Sequence, residues 1–189
     1  IRDYTLALQR GTTDRVAASV QLDHYAGDLD VKVEIPELKF SATAPVDRSG
    51  HAKLDLTVPG LALWSPEHPK LYTVVFTAGG DRLEERIGFR TIETRGADIL
   101  LNGQPVFLRG ISLHEENPLR GGRATTAAEA RQLLGWAKEL GCNYVRLAHY
   151  PHNDHMARVA DELGLLLWAE VPVYWTIHWD DPATFANAR

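Results

Sequence analysis

Apolar and polar residues alternate through the first half of the chain, to about residue 92. Val16, Ala18, Val20 and Leu22 fall at every second position, as do Leu29, Val31, Val33 and Ile35, and then Leu38, Phe40 and Ala42. Leu54, Leu56 and Val58 continue the rhythm, and residues 71–77 form a denser run. Successive side chains of a strand point to opposite faces, so a period of two buries one face and wets the other. Turn residues separate these runs: Asp47-Arg48-Ser49-Gly50 and Gly79-Gly80-Asp81 both read as hairpin connections. Two prolines within residues 64–69 predict an irregular loop ahead of the Leu71 strand. Roughly six or seven short strands with no helical period predict an antiparallel β-sandwich of immunoglobulin-like size over residues 1–92.

From residue 93 the period changes. Residues 105–111 read as a short strand after an Asn102-Gly103 turn. Thr126 and Glu129 have capping-box spacing, with the hydroxyl and the carboxylate each satisfying a free amide of a helix's first turn. Ala130, Leu133, Leu134, Ala137 and Leu140 then recur at helical spacing, and Gly141 stands where a left-handed cap belongs. A strand over residues 143–148 follows. A second helix sets Met156, Val159, Ala160 and Leu163 on one face and stops at Gly164. Residues 165–169 are continuously apolar, as in a parallel strand covered on both faces, with Trp168 read as core. This βαβαβ series opens either a doubly wound sheet or a (β/α)8 barrel. A dinucleotide fold wants G-x-G-x-x-G after its first strand; here residues 112–125 lack that spacing, which favours the barrel. A whole barrel takes about 250 residues, so residues 93–189 hold only about three of its βα units.

Composition narrows the classes. The 189 residues are 44% hydrophobic and 24% charged with a formal charge of −5, enough to build a core and without a basic face for nucleic acid or an anionic membrane. No apolar run approaches the roughly 20 residues of a membrane-spanning helix. Cys142 is the single cysteine, which excludes an internal disulfide. No leader-like segment opens the chain, and since the pattern starts mid-stride at Ile1 this carries no information on compartment.

Barrel enzymes carry their chemistry at the carboxyl ends of the strands. That rule selects His114 and Glu115 after the first strand, Arg146, His149 and Tyr150 around the second, and Glu170, Tyr174, Trp175, His178 and Trp179 after the third. Five of the eight histidines and four of the five tryptophans lie beyond residue 93. Aromatic platforms with imidazole and guanidinium donors suit a polyhydroxylated ligand such as a sugar. Trp175 and Trp179 fall in a polar loop, where a ligand-facing role competes with plain exposure. His149, His152 and His155 are spaced by three, but without the HExxH pattern a metal is not expected, and residues 152–154 read equally as a helix start. Arg146 inside a strand must either pair, with Glu170 or Glu115, or face the barrel mouth.

Asn143-Tyr-Val-Arg-Leu-Ala-His149-Tyr-Pro151, followed by Asp161 and by Gly164-Leu-Leu-Leu-Trp168, resembles a signature of glycoside hydrolase family 2, which includes β-galactosidases, β-glucuronidases and β-mannosidases. Leu101-Asn-Gly-Gln-Pro-Val-Phe-Leu-Arg-Gly110 through His114-Glu115 resembles that family's entry into its barrel. Trp64-Ser-Pro with Leu71-Tyr72, and Gly88-Phe89-Arg90, are similar to the end of its immunoglobulin-like domain. The resemblance covers nearly the whole chain. It implies that His114 and His149 hydrogen-bond a sugar, that Arg146 lies beside the catalytic carboxylates, and that Glu115 and Glu170 support the site; Trp175 joins them as a supporting residue on the strand-end rule alone. Leu147 and Leu113 depart from the pattern, standing where a small or hydroxyl residue and an arginine are common. Residues 171–175, Val-Pro-Val-Tyr-Trp, replace the Glu and His of the magnesium-binding β-galactosidases, so no metal or other cofactor is expected.

The resemblance implies a parent that hydrolyses terminal β-glycosides (galactoside, glucuronide or mannoside) in carbohydrate metabolism, with retention through a glycosyl-enzyme intermediate. Its acid/base sits in an Asn-Glu pair after the fourth strand and its nucleophile after the seventh. No Asn-Glu pair occurs in the chain, so no catalytic residue is assigned within it and the segment by itself is expected to be inactive. The expected partner is a carbohydrate, with self-association through the open barrel edge. Two other readings stay open. One is a non-catalytic carbohydrate- or protein-binding sandwich with an α/β appendage, using Tyr4, Tyr25, Trp64 and Tyr72; the other is a small complete enzyme using Glu115 and Glu170.

Overall fold

The structure, a computed structural model, describes residues 1–23, 28–173 and 175–188. Tyr25 and Tyr174, both singled out above, lie outside the described residues. The chain folds into two compact units, Ile1–Phe107 and Leu108–Arg189.

The first unit is a β-sandwich. One sheet is formed by β1 (Asp3–Leu8), β2 (Arg15–Gln21) and β5 (His51–Thr57). The other has the order β4-β3-β6-β7, from β3 (Asp30–Ile35), β4 (Phe40–Pro45), β6 (Tyr72–Ala78) and β7 (Asp81–Ile87), all antiparallel. The period-two residues do what the alternation requires. Val16, Val20, Val31, Val33, Ile35 and Phe76 meet in one fully buried core. The Gly79-Gly80 turn closes a true hairpin, with Ala78 paired to Asp81. Residues 47–50, in contrast, do not make a hairpin. They carry the chain from β4 in one sheet to β5 in the other, through a turn in which the Asp47 carboxylate accepts the amides of Ser49 and His51 at 2.8 and 3.0 Å. Residues 64–69 are irregular, as the prolines dictate, and Trp64 is fully buried.

A three-stranded antiparallel sheet, β8 (Ile92–Arg95), β9 (Asp98–Leu101) and β10 (Gln104–Pro105), completes the first unit. The β9–β10 turn is Asn102-Gly103 with φ of 52 and 78°, the pair of positive values that a tight two-residue hairpin requires. The Asn102 side chain is used as well. Its amide donates to the Trp64 carbonyl at 3.0 Å, and its oxygen accepts the Thr91 amide at 3.0 Å.

The second unit begins with the predicted βαβαβ series: β11 (Gly110–Leu113), α1 (Ala127–Glu139), β12 (Tyr144–Leu147), α2 (Asp154–Leu163) and β13 (Leu166–Ala169), ahead of a short α3 (Pro182–Ala188). The sheet is parallel, in the order β11-β12-β13. Its first strand is shorter and later than the pattern of residues 105–111 predicts. Gln104 and Pro105 are committed to the hairpin with β9, Phe107 is exposed, and pairing with β12 starts only at Gly110. The Thr126–Glu129 capping box is formed, and Gly141 and Gly164 follow the two helices with φ of 79 and 73°. Leu140 is not on the buried face, since it is already the residue that ends α1 and lies exposed.

Two faces of the parallel sheet differ. Val145 and Leu147, with Ile111, Leu113 and Leu167 beside them, pack against Ala130, Leu134, Met156 and Val159 of the helices. Ser112, Arg146 and Trp168 are register partners across the three strands and point to the opposite face. Trp168 is therefore not core; it is 58% exposed. The run 165–169 is covered by helices on one face only, and β13 has a single strand neighbour among the described residues.

Candidate functional site

Three strand ends bring the site residues together. The parallel register aligns Leu113, Leu147 and Ala169 as neighbours, so the chain leaves β11, β12 and β13 at one level. His114 follows at once on β11, His149 and Tyr150 leave β12, and Glu170 follows β13. The His114 and His149 rings lie edge to face with centroids 5.3 Å apart. Tyr150 stands beside His114, its hydroxyl 3.4 Å from Nδ1 and accepting the Glu115 amide at 3.2 Å. A cavity of about 700 Å³ runs along this edge of the sheet, lined by Ser112, His114, Glu116, Arg123, Leu133 and Trp136 among others.

Arg146 settles its two options by pairing with Glu170. Nε and Nη2 donate to Oε1 and Oε2 at 2.6 and 3.1 Å, the fork geometry suited to a carboxylate. Glu170 Oε2 also accepts the His149 amide at 2.7 Å. The Arg146 hydrogen bonds, aided by that amide, hold the Glu170 carboxyl down to about 2. They raise the Arg146 guanidinium in turn. His149 itself has φ of 78°, a left-handed backbone that non-glycine residues seldom adopt and that the surrounding bonds must enforce. Its Nδ1 lies 3.4 Å from Arg146 Nη2 and 3.5 Å from Glu170 Oε2.

Glu115 is turned away from this group. It is fully buried and takes the Arg123 guanidinium on one oxygen and the amide and side chain of Asn153 on the other, the latter at 2.5 Å. Burial pushes its carboxyl up, but the Asn153 and Arg123 hydrogen bonds outweigh that and lower it overall. Asn153 is at once the N-cap of α2, accepting the His155 amide at 3.0 Å, and donates to the Ala124 carbonyl at 2.7 Å. The Glu115–Asn153 contact thus fastens the loop after β11 to the start of α2. The sequence placed Asn153 at a helix start, within residues 152–154, but not among the site residues. The signal for it was local, an asparagine just ahead of an amphipathic helical run.

The tryptophan of the third loop is not brought to the histidines. Trp175 is 91% exposed, and Trp179 packs edge-on against Phe185 instead. His152 is fixed by its Nε2 on the Ala148 carbonyl at 3.3 Å, and its ring stacks on Tyr150 with centroids 5.0 Å apart. Burial pushes the His152 imidazole below the ordinary histidine value. Neither Glu115 nor Glu170 is arranged to carry a proton near neutral pH: both are ion-paired, hydrogen-bonded and lowered, the reverse of what a general acid needs. The group at the strand ends is equipped to bind polar ligand atoms through imidazole and guanidinium nitrogens.

Known proteins resemble the chain in sequence and fold. The family model of the glycosyl hydrolases family 2 matches residues 3–90, and that of the family 2 TIM barrel domain matches residues 92–182. The chain is 34% identical over 185 residues to a beta-galactosidase of Klebsiella pneumoniae, covering 88% of this chain and 18% of that protein. It is 31% identical to the crystal structure of a beta-galacturonidase from Eisenbergiella tayi bound to galacturonate, with a TM-score of 0.72 over 89% of this chain and 31% of the other. A Bifidobacterium dentium beta-glucuronidase complexed with coumarin-3-O-glucuronide has the same fold, with a TM-score of 0.84 at 22% identity over 98% of this chain and 33% of the other. The chain spans between 12 and 29% of the length of the curated relatives it matches.

Proposed function

Because the chain belongs to glycoside hydrolase family 2, we propose that it is the sandwich and the opening barrel units of a retaining, exo-acting β-glycosidase. The parent removes terminal galactosyl, glucuronyl or mannosyl groups, and His114, Arg146 and His149 bind the sugar in it. Glu115 and Glu170 support that site by holding the loops, whereas Trp175, 91% exposed, takes no part in it. We draw the domain boundary at residue 92, where the second family match begins, giving a sandwich of residues 1–92 and a barrel segment of residues 93–189; the compact units divide later, after Phe107, which keeps the β8–β10 sheet with the first unit.

One observation carries the proposal. Two imidazoles with ring centroids 5.3 Å apart, and an arginine locked by a carboxylate, converge where three neighbouring parallel strands end. That is where a barrel enzyme holds its ligand. The galacturonate bound to a relative of 31% identity supports a sugar as the ligand class.

The 189 residues alone do not turn over glycosides, since retention takes two carboxyls about 5–5.5 Å apart, one of them protonated. Glu115 and Glu170 are both committed to structural partners. Assay of a panel of aryl β-glycosides tests this, on the 189-residue chain and on the product of the same reading frame extended through an Asn-Glu pair and a later strand-end glutamate. Turnover is expected only from the extended protein. Hydrolysis by the short chain that disappears in Glu115→Gln or Glu170→Gln overturns the reading. We also expect the short chain to self-associate through the open edges of β11 and β13. A monomer in sedimentation, with slow amide exchange throughout residues 143–170, overturns that part.

A further inference from the structure

The geometry points to Tyr150 as a positioning residue that sets the tautomer of His114, so that the His114 ring offers an N–H donor, and not a lone pair, to the ligand. The argument rests on which atoms can give a proton. A phenol oxygen has one hydrogen to donate and, in the ring plane, one good lone pair with which to accept. At Tyr150 the acceptor side is taken by the Glu115 amide at 3.2 Å, a group that can only donate. The remaining direction holds the hydroxyl hydrogen, and the atom it meets is His114 Nδ1 at 3.4 Å. Nδ1 then accepts, and in the neutral ring the proton sits on Nε2.

The rest of the surroundings keeps Tyr150 in that position. Its ring is stacked on one side by His152, and the Arg123 guanidinium lies 5.8 Å from its centroid. Arg123 is itself paired with Glu115, so the residue that supplies the amide also anchors the cation beside the ring. His114 is exposed and lines the 700 Å³ cavity, so its second nitrogen is available to a ligand. Its partner there must be an acceptor, such as a hydroxyl or carboxylate oxygen. That the acceptor belongs to a sugar rests on the function proposed above; the tautomer itself does not.

The test is nitrogen-15 NMR of the histidine rings in the 189-residue chain, at about pH 8 where an ordinary imidazole is neutral. In the unsubstituted chain His114 is expected to show widely separated ring nitrogens, with the proton on Nε2. In Tyr150→Phe the two shifts should move towards the averaged mixture of a free imidazole. His152 is the internal control, because the Ala148 carbonyl and not the Tyr150 hydroxyl holds its Nε2–H. A His114 proton on Nδ1 in the unsubstituted chain overturns the inference, as does a His114 pattern that Tyr150→Phe leaves unchanged while His152 also stays fixed. If His152 averages too, the loop has rearranged and the unsubstituted spectrum decides. Failure of these spectra leaves the glycosidase reading standing, and an inactive extended protein leaves the tautomer standing.

Discussion

Glu170 and Arg146 are joined by two hydrogen bonds, Nε to Oε1 at 2.6 Å and Nη2 to Oε2 at 3.1 Å. Arg146 comes from within β12, Glu170 from the residue after β13, and the same carboxylate oxygen that takes Nη2 also takes the amide of His149. One acidic side chain therefore fixes the direction of a strand residue and the backbone of the loop that carries a candidate ligand-binding histidine. Neutralising it disturbs both.

Acid should reveal that coupling. The Glu170 carboxyl lies at about 2 in the folded chain against 4.5 when free of its partners. A carboxyl lowered on folding contributes stability that is fully present above its free value and is lost as the pH falls through the folded one. The contribution of this pair is thus intact above about pH 4.5 and disappears towards pH 2. His152 is lowered by burial, so its contribution is complete above the ordinary histidine value and starts to fall away below about 6.5. Urea midpoints measured in pH steps should show a first decline below about 6.5 that is missing in His152→Gln. A second decline, below about 4.5, should be shallower in Glu170→Gln. A flat profile down to pH 3 in the unsubstituted chain refutes the assignment.

The left-handed backbone at His149, with φ of 78°, gives a prediction of unusual sign. In that conformation any Cβ crowds the following carbonyl, which costs roughly 1–2 kcal/mol and which glycine escapes. Both His149→Gly and His149→Ala delete the imidazole, so comparing them isolates the backbone. The glycine variant should be the more stable by about 1 kcal/mol, although glycine normally costs stability relative to alanine. Equal or reversed thermal midpoints would mean that the positive φ is not held in solution.

These particulars show what could be read from the chain alone. Alternation located β2 to β6 because each carries one face into the sandwich core. It passed over β1, although Tyr4, Leu6 and Leu8 alternate there and reach the core, and β7, Asp-Arg-Leu-Glu-Glu-Arg-Ile, an edge strand that is held by its pairing with β6 and has charged residues where a central strand would be apolar. The βαβαβ series was legible from caps and glycines. The exposure of Trp168 was not, because a run of apolar residues does not say whether both faces of its strand are covered. At the site, the strand-end rule found His114, Arg146, His149 and Glu170. It could not tell that Glu115 turns inward to Asn153, since that contact joins residues 38 positions apart.

Gly110 is where β11 first pairs with β12, and it lies so close to the neighbouring strand that no side chain fits. A Cβ there would come 2.5 Å from the Tyr144 carbonyl oxygen and would collide with the Tyr144 ring as well. Backbone in a parallel ladder cannot move aside as a flexible side chain can. Gly110→Ala should therefore destabilise the second unit by about 1–3 kcal/mol, the usual cost of overpacking, and loosen the strand that ends in His114. Gly135→Ala on α1, where an added Cβ meets nothing within 4 Å, serves as the contrast and should be neutral to stabilising. Denaturant titration of both variants separates crowding at Gly110 from a general intolerance of alanine.

The buried carboxylate of Glu115 gives the prediction with the widest structural reach. Its two oxygens satisfy the Asn153 amide, the Asn153 side chain and the Arg123 guanidinium, and Asn153 then caps α2 and holds the Ala124 carbonyl. Removing the carboxylate leaves the part-buried Asn153 backbone amide without an acceptor and its side-chain amide with the Ala124 carbonyl alone, at about 1–3 kcal/mol, whereas Arg123 is largely exposed and can turn to water. Glu115→Ala should lose that much, and Glu115→Gln nearly as much, because an amide placed among donors can satisfy only some of them. The damage should be regional. Amide exchange should speed up in residues 114–124 and in the first turn of α2, while the sandwich core around Val33 and Phe76 keeps its protection. If Glu115→Gln exchanges like the unsubstituted chain, the carboxylate is not what joins the two loops, and the support assigned to it in the sugar site fails with it.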